Sequence, residues 1–233
     1  MKSHLQLQKM TIDYFSLGNP LCGIRSRFAN RARRRMFGLF MDAMQPTPET
    51  SVLDLGVTPD ESLSESNFFE KLYPYTNKIT AVSIEDVYSL EKSYPGLRFV
   101  QIQPGKLPFA DDEFDVVFCS AVIEHVGDRA AQRAFIEEAL RVSRRFFFTS
   151  PNRRFPIDFH TFLPLLHWLP RPLHQGALRC LGLEFWAKTE NLNLLTPEAF
   201  RGLFPPCGSL HLFKYRLFGM PSNTVIYGQK LIP

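Results

Sequence analysis

Two short, separated strings hold side chains of the types that move protons near neutral pH. One is Glu124-His125-Val126 and the other is Pro156-Ile157-Asp158-Phe159-His160. Histidine changes charge within the physiological range and a nearby carboxylate can orient it, so His125, Asp158 and His160 are candidate general bases for an acceptor proton. A plainer role for His125 is a helix-start histidine bonded to backbone, and the residues alone leave the two roles level. Metal chemistry has less support. His160, His167 and His174 recur every seven residues, which is not a zinc spacing. The four cysteines (Cys22, Cys119, Cys180, Cys207) form no CxxC or Cys/His pair, and no cluster of carboxylates stands out. Neither a bound metal nor a disulfide framework is expected.

A second group of polar residues follows short apolar runs. It comprises Asp54-Leu55-Gly56-Val57-Thr58-Pro59-Asp60, then Ser83 with Glu85 and Asp86, then Gln103, then Ser120-Ala121. The runs before them are strand-like: residues 51–55 (SVLDL), 78–84 (KITAVSI), 97–102 (LRFVQI) and 114–119 (FDVVFC), with a fifth at 145–149 (RFFFT). The fourth is almost wholly apolar, as a strand buried on both faces is. Helical stretches alternate with them at 60–73, 85–94 and 129–142, the last placing Ala130, Ala134, Ile136, Ala139, Leu140 and Val142 near one face. Residues 196–204 predict a helix with Thr196 as N-cap and Pro197 at its first position. Residues 211–217 and 224–231 predict an antiparallel pair joined through 219–222. Alternating strands and helices dictate a doubly wound α/β sheet of about seven strands, parallel except for that C-terminal hairpin, with helices on both faces. In such sheets ligands bind outside the carboxyl ends of the strands, where the polar groups above fall. No GxGxxG follows the first strand, which disfavours a nicotinamide dehydrogenase.

Taken together, Phe114-Asp115-Val116-Val117, Glu124-His125-Val126 and the preceding Leu107-Pro108-Phe109-Ala110-Asp111 resemble class I S-adenosylmethionine-dependent methyltransferases of Rossmann-like fold. The resemblance covers roughly residues 50–152 and is closest to the broad type 11 group. The strings NFFEKLYP, SAVIEHVG, TSPNRRFPIDFHT and ENLNLLTP look like an uncharacterised bacterial subgroup. It implies S-adenosylmethionine as cofactor, and it implies a cofactor role for Asp54, Gly56 and Thr58 in the first loop. Glu85, or Asp86, would take the ribose hydroxyls in place of the acid expected at Ser83; Gln103 would meet the adenine, and Ser120 and Ala121 would lie beside the cofactor. His125 would sit near the methyl-transfer end. The chain departs from the family's Asp-x-Gly-x-Gly-x-Gly loop by holding Thr58 and Asp60 at the second and third glycines.

Residues 155–190 form an apolar insert rich in Pro, His, Leu and aromatics, in which Phe155, Phe159, Phe162, Leu163, Leu165, Leu166, Trp168 and Leu169 either line an acceptor pocket or fill a core. A pocket of that kind predicts a small, apolar or lipid-linked acceptor, methylated on oxygen. The chain of 233 residues carries net +4, yet residues 1–50 alone carry +5 and the rest −1. That charge concentrates at Arg25, Arg27, Arg31 and Arg33 to Arg35, in a basic helical extension preceding a domain at 51–233. It is a solvated face, a contact with anionic membrane through inserted Phe37, Leu39, Phe40 and Met41, or a phosphate clamp. Nucleic acid is the weaker partner, since no Asn/Asp-Pro-Pro-Tyr string marks base methylation. A catalytically silent binding module and an RNA methyltransferase are the alternatives. With no signal-peptide core and no spanning run, the expected location is cytoplasmic, with a peripheral contact at the inner membrane left open.

Overall fold

The computed structural model describes residues 21–59, 61 and 66–231. Seven strands form one sheet in the order β3-β2-β1-β4-β5-β7-β6. They are β1 (Val52–Leu55), β2 (Ile79–Ser83), β3 (Arg98–Gln101), β4 (Phe114–Ser120), β5 (Ser143–Pro151), β6 (Cys207–Leu217) and β7 (Met220–Lys230). The first five are parallel, and β7 runs antiparallel to both β5 and β6. Successive strands are laid down outward from β1 toward β3 on one side and from β4 onward on the other, so the crevice between the carboxyl ends of β1 and β4 is the switch point.

Period-two alternation divides the sheet's side chains between two cores. Val52, Val116, Phe118 and Phe147 face one side, where α1 (Leu21–Met44), α2 (Phe68–Leu72) and α3 (Leu90–Ser93) pack. Leu53, Leu55, Val117, Phe146 and Phe148 face the other, against α4 (Arg129–Arg141) and α6 (Pro197–Arg201). On α1 the buried residues Ala32, Met36, Phe40 and Met44 recur every four positions, one stripe of a helix. Phe40 is fully buried and meets the rings of Phe69, Tyr73, Phe118 and Phe147 at centroid distances of 5.0–6.1 Å. Of the side chains that a membrane-surface helix would insert, Phe40 is thus in the core, and Phe37, Leu39 and Met41 pack against it. Arg27, Arg31, Arg34 and Arg35 occupy the exposed face, while Arg33 lies 5.5 Å over the ring of Phe68. Arg25 lies outside the residues whose side chains are described.

Local side-chain bonds set where two of the helices start among the described residues; of the expected helix at 60–73, residues 60 and 62–65 lie outside them. Asn67 takes a left-handed conformation (φ 46°) and ties its amide to Thr58, so α2 begins only at Phe68. Asp86 accepts from the backbone N–H of Tyr88 in a local turn, and α3 starts at Leu90. At α6 the expected cap forms, with the Thr196 hydroxyl accepting from the N–H of Ala199 and Pro197 at the first position. The hairpin turn is tighter than 219–222. Phe218 (φ 50°) and Gly219 (φ 79°) make it alone, the two positive angles of a primed turn, and Met220 to Ser222 are already strand.

After β5 the insert folds into a short helical turn at Leu166–Trp168 and α5 (Arg171–Cys180), around a small core of Leu178, Trp186, Ala187 and Leu192. Phe155 is buried, while Phe162, Leu165, Trp168 and Leu169 are exposed.

Candidate active site

Strand register brings distant residues together at the carboxyl edge of β4 and β5. Pairing of Ser120 with Thr149 places their hydroxyls 2.9 Å apart. Ala121 follows in the left-handed region (φ 58°), its N–H donating to the carbonyl of Thr149. A non-glycine residue held there at a strand tip is strained in the way functional turns often are. The helical turn Ile123–His125 comes next, with Glu124 fully buried and one of its carboxylate oxygens accepting from the hydroxyl of Ser150 at 3.2 Å. Its other oxygen, Oε1, is buried with no partner among the described residues.

The loop after β5 folds back onto this turn because Asp158 organises it. Its Oδ1 accepts from the backbone N–H of His160 at 3.0 Å and meets the imidazole Nδ1 at 2.9 Å, and its Oδ2 accepts from the Thr161 hydroxyl at 2.7 Å. His160 stands edge-on to His125, ring centroids 5.0 Å apart, and both rings lie beside Trp186. The structure thus assembles the three candidate bases into one cluster with Glu124, although Asp158 and His160 follow His125 by 33 and 35 residues. Two roles differ inside it. Nδ1 of His125 sits 2.7 Å from the carbonyl of Asn191, while His160 sits on a carboxylate.

Their electrostatics separate accordingly. Burial, with the adjacent His160, pushes His125 down to about 4, so it is neutral. Burial also disfavours a charged His160, but the hydrogen bond and charge of Asp158, and the charge of Glu124, outweigh it and raise that imidazole above its usual 6.5. Burial by itself would raise Asp158; the bonds from His160 and Thr161 outweigh it and hold the carboxyl at about 2. Burial lifts Glu124 to about 7. One ligand atom each from Glu124, His125 and His160 fall within 4.8 Å of one another, a spacing that a divalent ion could use and that the sequence spacing conceals.

The remaining predicted residues lie at neighbouring tips. Gly56 is exposed at the end of β1 with φ 100°, and a Cβ there would stand 2.3 Å from Cγ2 of Val122, so glycine is required on both counts. Asp54 lies buried within β1, facing Glu70 of α2. Burial and the neighbouring carboxylate raise Asp54 well above the ordinary range, so the pair holds a proton. No N–H or hydroxyl among the described residues reaches either oxygen of Glu70, so the hydrogen bond it makes is the one through the proton shared with Asp54. Thr58 has its N–H bonded to Oδ1 of Asn67 and its carbonyl to the Asn67 amide. Ser83 is buried, its hydroxyl accepting from the N–H of Glu85, whereas Glu85, Asp86 and Gln103 are exposed. Asp60 lies outside the described residues. Sequence reasoning gave no role to Trp186, nor to Asn67, Glu70 and Asn191, which stand in the strings NFFEKLYP and ENLNLLTP. Glu124 it quoted only as part of a string, although a glutamate amid apolar residues was the available sign.

An adenosyl ligand needs acceptors for a ribose diol, polar edges for a base and a close-approaching loop. The exposed carboxylates past β2, Gln103 past β3 and Gly56 past β1 match those needs, with the Thr58 backbone already engaged by Asn67.

Residues 64–145 match the methyltransferase domain family. A methyltransferase dependent on S-adenosylmethionine from Methanosarcina mazei superposes with a TM-score of 0.50 at 16% identity, over 81% of this chain and 95% of that one. The N-methyltransferase NodS of Bradyrhizobium japonicum, in complex with S-adenosylhomocysteine, gives 0.52 at 11% identity over 85% and 86%. No curated protein matches the sequence significantly. Domain match, strand order and likeness of fold agree: residues 64–145 match a methyltransferase domain, and the sheet that carries them has the class I methyltransferase fold.

Proposed function

We propose that this protein transfers a methyl group from S-adenosylmethionine to an oxygen of a small acceptor, with His160 as general base and Asp158 orienting it. The Asp158–His160 pair at the β4/β5 edge of a class I sheet carries this reading. The cofactor, when bound, supplies an already activated sulfonium methyl, so the chain's part is to orient, to exclude water and to take a proton. Glu85, Gln103, Ser120, Ala121, Gly56 and Thr58 would hold the cofactor, with Asp54 supporting the first loop from within β1. Asp158 fixes Nδ1 of His160, which leaves Nε2 to receive the acceptor proton, while His125, neutral and anchored on Asn191, forms the wall behind it.

The expected location is the cytoplasm. No helix among the described residues is long and apolar enough to cross a membrane. The exposed arginines of α1 remain the surface for any contact with anionic lipid or phosphate.

The reading is tested by incubating the protein with methyl-labelled S-adenosylmethionine and a small-molecule extract. Label is expected in an acceptor, at a rate that rises with pH, because a base must be neutral and the His160 pKa is raised; the midpoint therefore falls above 6.5. Asp158→Asn removes the charge that raises it and shifts the midpoint downward. A profile flat across the neutral range would assign the base to His125, whose pKa is about 4. Binding without any transfer would instead favour a silent module, the reading supported by the Thr58–Asn67 bonds and the missing glycines.

A further inference from the structure

A cleft of about 180 Å³ opens beside the cluster, between α4, the residues after β5 and the start of α5. Arg129, Arg153 and Arg171 line it, together with Gln132, Asn193 and Thr196, and no carboxylate does. Among the described residues none of the three guanidinium groups has an ion-pair partner. Arg153 donates to the carbonyls of His167 and Leu169 at 3.1 Å each, and Arg171 donates to Oδ1 of Asn193. Neutral acceptors orient both groups while leaving their charge uncompensated, and the two arginines repel one another. Like charges gathered in a concavity and fixed by neutral partners cost free energy unless an anion completes them.

Two buried acceptor atoms independently ask for a donor, which a hydroxyl of the anchored molecule supplies and the anion's own oxygens do not. Gln132 is fully buried and spends its amide N–H groups on the carbonyls of Ile123 and Asn193, which leaves Oε1 unpartnered. His167, 2% exposed, uses Nε2 on the carbonyl of Phe155 and leaves Nδ1 bare in an adjoining cavity that Arg153 and Arg171 also line. Paired guanidinium forks suit the oxygens of a phosphoryl group, and the bare Gln132 oxygen suits a hydroxyl borne on or beside it. Trp186 connects this region to the chemistry, since it lines the adjoining cavity and lies 5.3 Å, ring to ring, from His160.

We infer that the cleft formed by Arg129, Arg153 and Arg171 is an oxyanion site that anchors a phosphate-bearing acceptor, and that the adjoining cavity, which Arg153 and Arg171 also line and Trp186 walls, leads from it to the His160 cluster. The acceptor role rests on the methyltransferase reading; the anion site does not. Arg171 is exposed and its only described bond is to Asn193, so Arg171→Gln should fold, whereas Arg153 also braces two carbonyls of the insert.

The probe is inorganic phosphate, measured by calorimetry and thermal shift against chloride at matched ionic strength. Phosphate is expected to bind the intact protein and to bind Arg171→Gln about tenfold more weakly or worse, as the loss of a charge-assisted fork implies. Binding of S-adenosylhomocysteine should be unchanged in that variant, which separates failure of the anion site from failure of the cofactor reading. Phosphatidylcholine vesicles with and without phosphatidic acid identify the source. Co-sedimentation that requires both Arg171 and phosphatidic acid means a lipid-borne phosphate; phosphate binding without it means a soluble one, and either upholds the site. No phosphate binding, or binding equal in the intact protein and in Arg171→Gln, overturns it.

Discussion

Replacing His160 by alanine is expected to lower methyl transfer about 10²–10⁴-fold, the usual contribution of a positioned general base, while S-adenosylhomocysteine binding stays within about twofold. The fold should survive, because Asp158 keeps two donors, the backbone N–H of residue 160 and the Thr161 hydroxyl. The charge of Asp158 loses one compensating partner, so a modest loss of stability accompanies the change. What distinguishes a base from a structural histidine is the pH dependence. In the variant the rising limb set by His160 disappears, and any residual rate is independent of pH across the neutral range. A variant that retains both rate and limb would remove His160 from the chemistry and turn attention to Glu124, which burial lifts to about 7.

The second large effect concerns α1, the helix that carries the run of six arginines from Arg25 to Arg35. Phe40→Ala is expected to cost about 3–5 kcal/mol of unfolding free energy, measured by urea denaturation, because it removes a fully buried ring and leaves a cavity among four others. A loss that large is a substantial fraction of a domain's total stability. It would show that α1 is part of the sheet's packing, with its arginines as the outward face of a structural helix. A loss below about 1 kcal/mol would show that the helix docks loosely and that residues 51–231 fold without it.

Much of this architecture was legible in the residues. Buried strands such as VLDL, ITAVS and FDVVFCS announce themselves by apolar continuity, and Thr196-Pro197 announces a helix start by chemistry that is local. Length was less legible where a single side chain intervened. Asn67 and Asp86 satisfy neighbouring backbone groups in turns, and helical periodicity does not register that competition. The site was legible as residue types and not as an arrangement. That Asp158 would pair with His160 could be suspected from their spacing, but their meeting with His125 and Trp186 depends on how the segment after β5 folds back over β4. The Asp54–Glu70 pair is likewise a product of packing, since α2 sets a carboxylate under the sheet that no spacing foretells. The arginines of the cleft come from three separate segments, and only folding gathers them on a lining that holds no carboxylate.

The central claim is that the tips of β1 to β4 hold an adenosyl cofactor beside the Asp158–His160 pair, and calorimetric titration with S-adenosylhomocysteine tests it most directly. Glu85 has an exposed carboxylate with no side-chain partner among the described residues, whereas Asp86 is engaged with the N–H of Tyr88. The account predicts one site per chain, an affinity unchanged by His160→Ala, and a loss of about tenfold or more in Glu85→Ala as charge-assisted bonds to the ribose are removed. Absence of heat and of any thermal shift at millimolar ligand would contradict it.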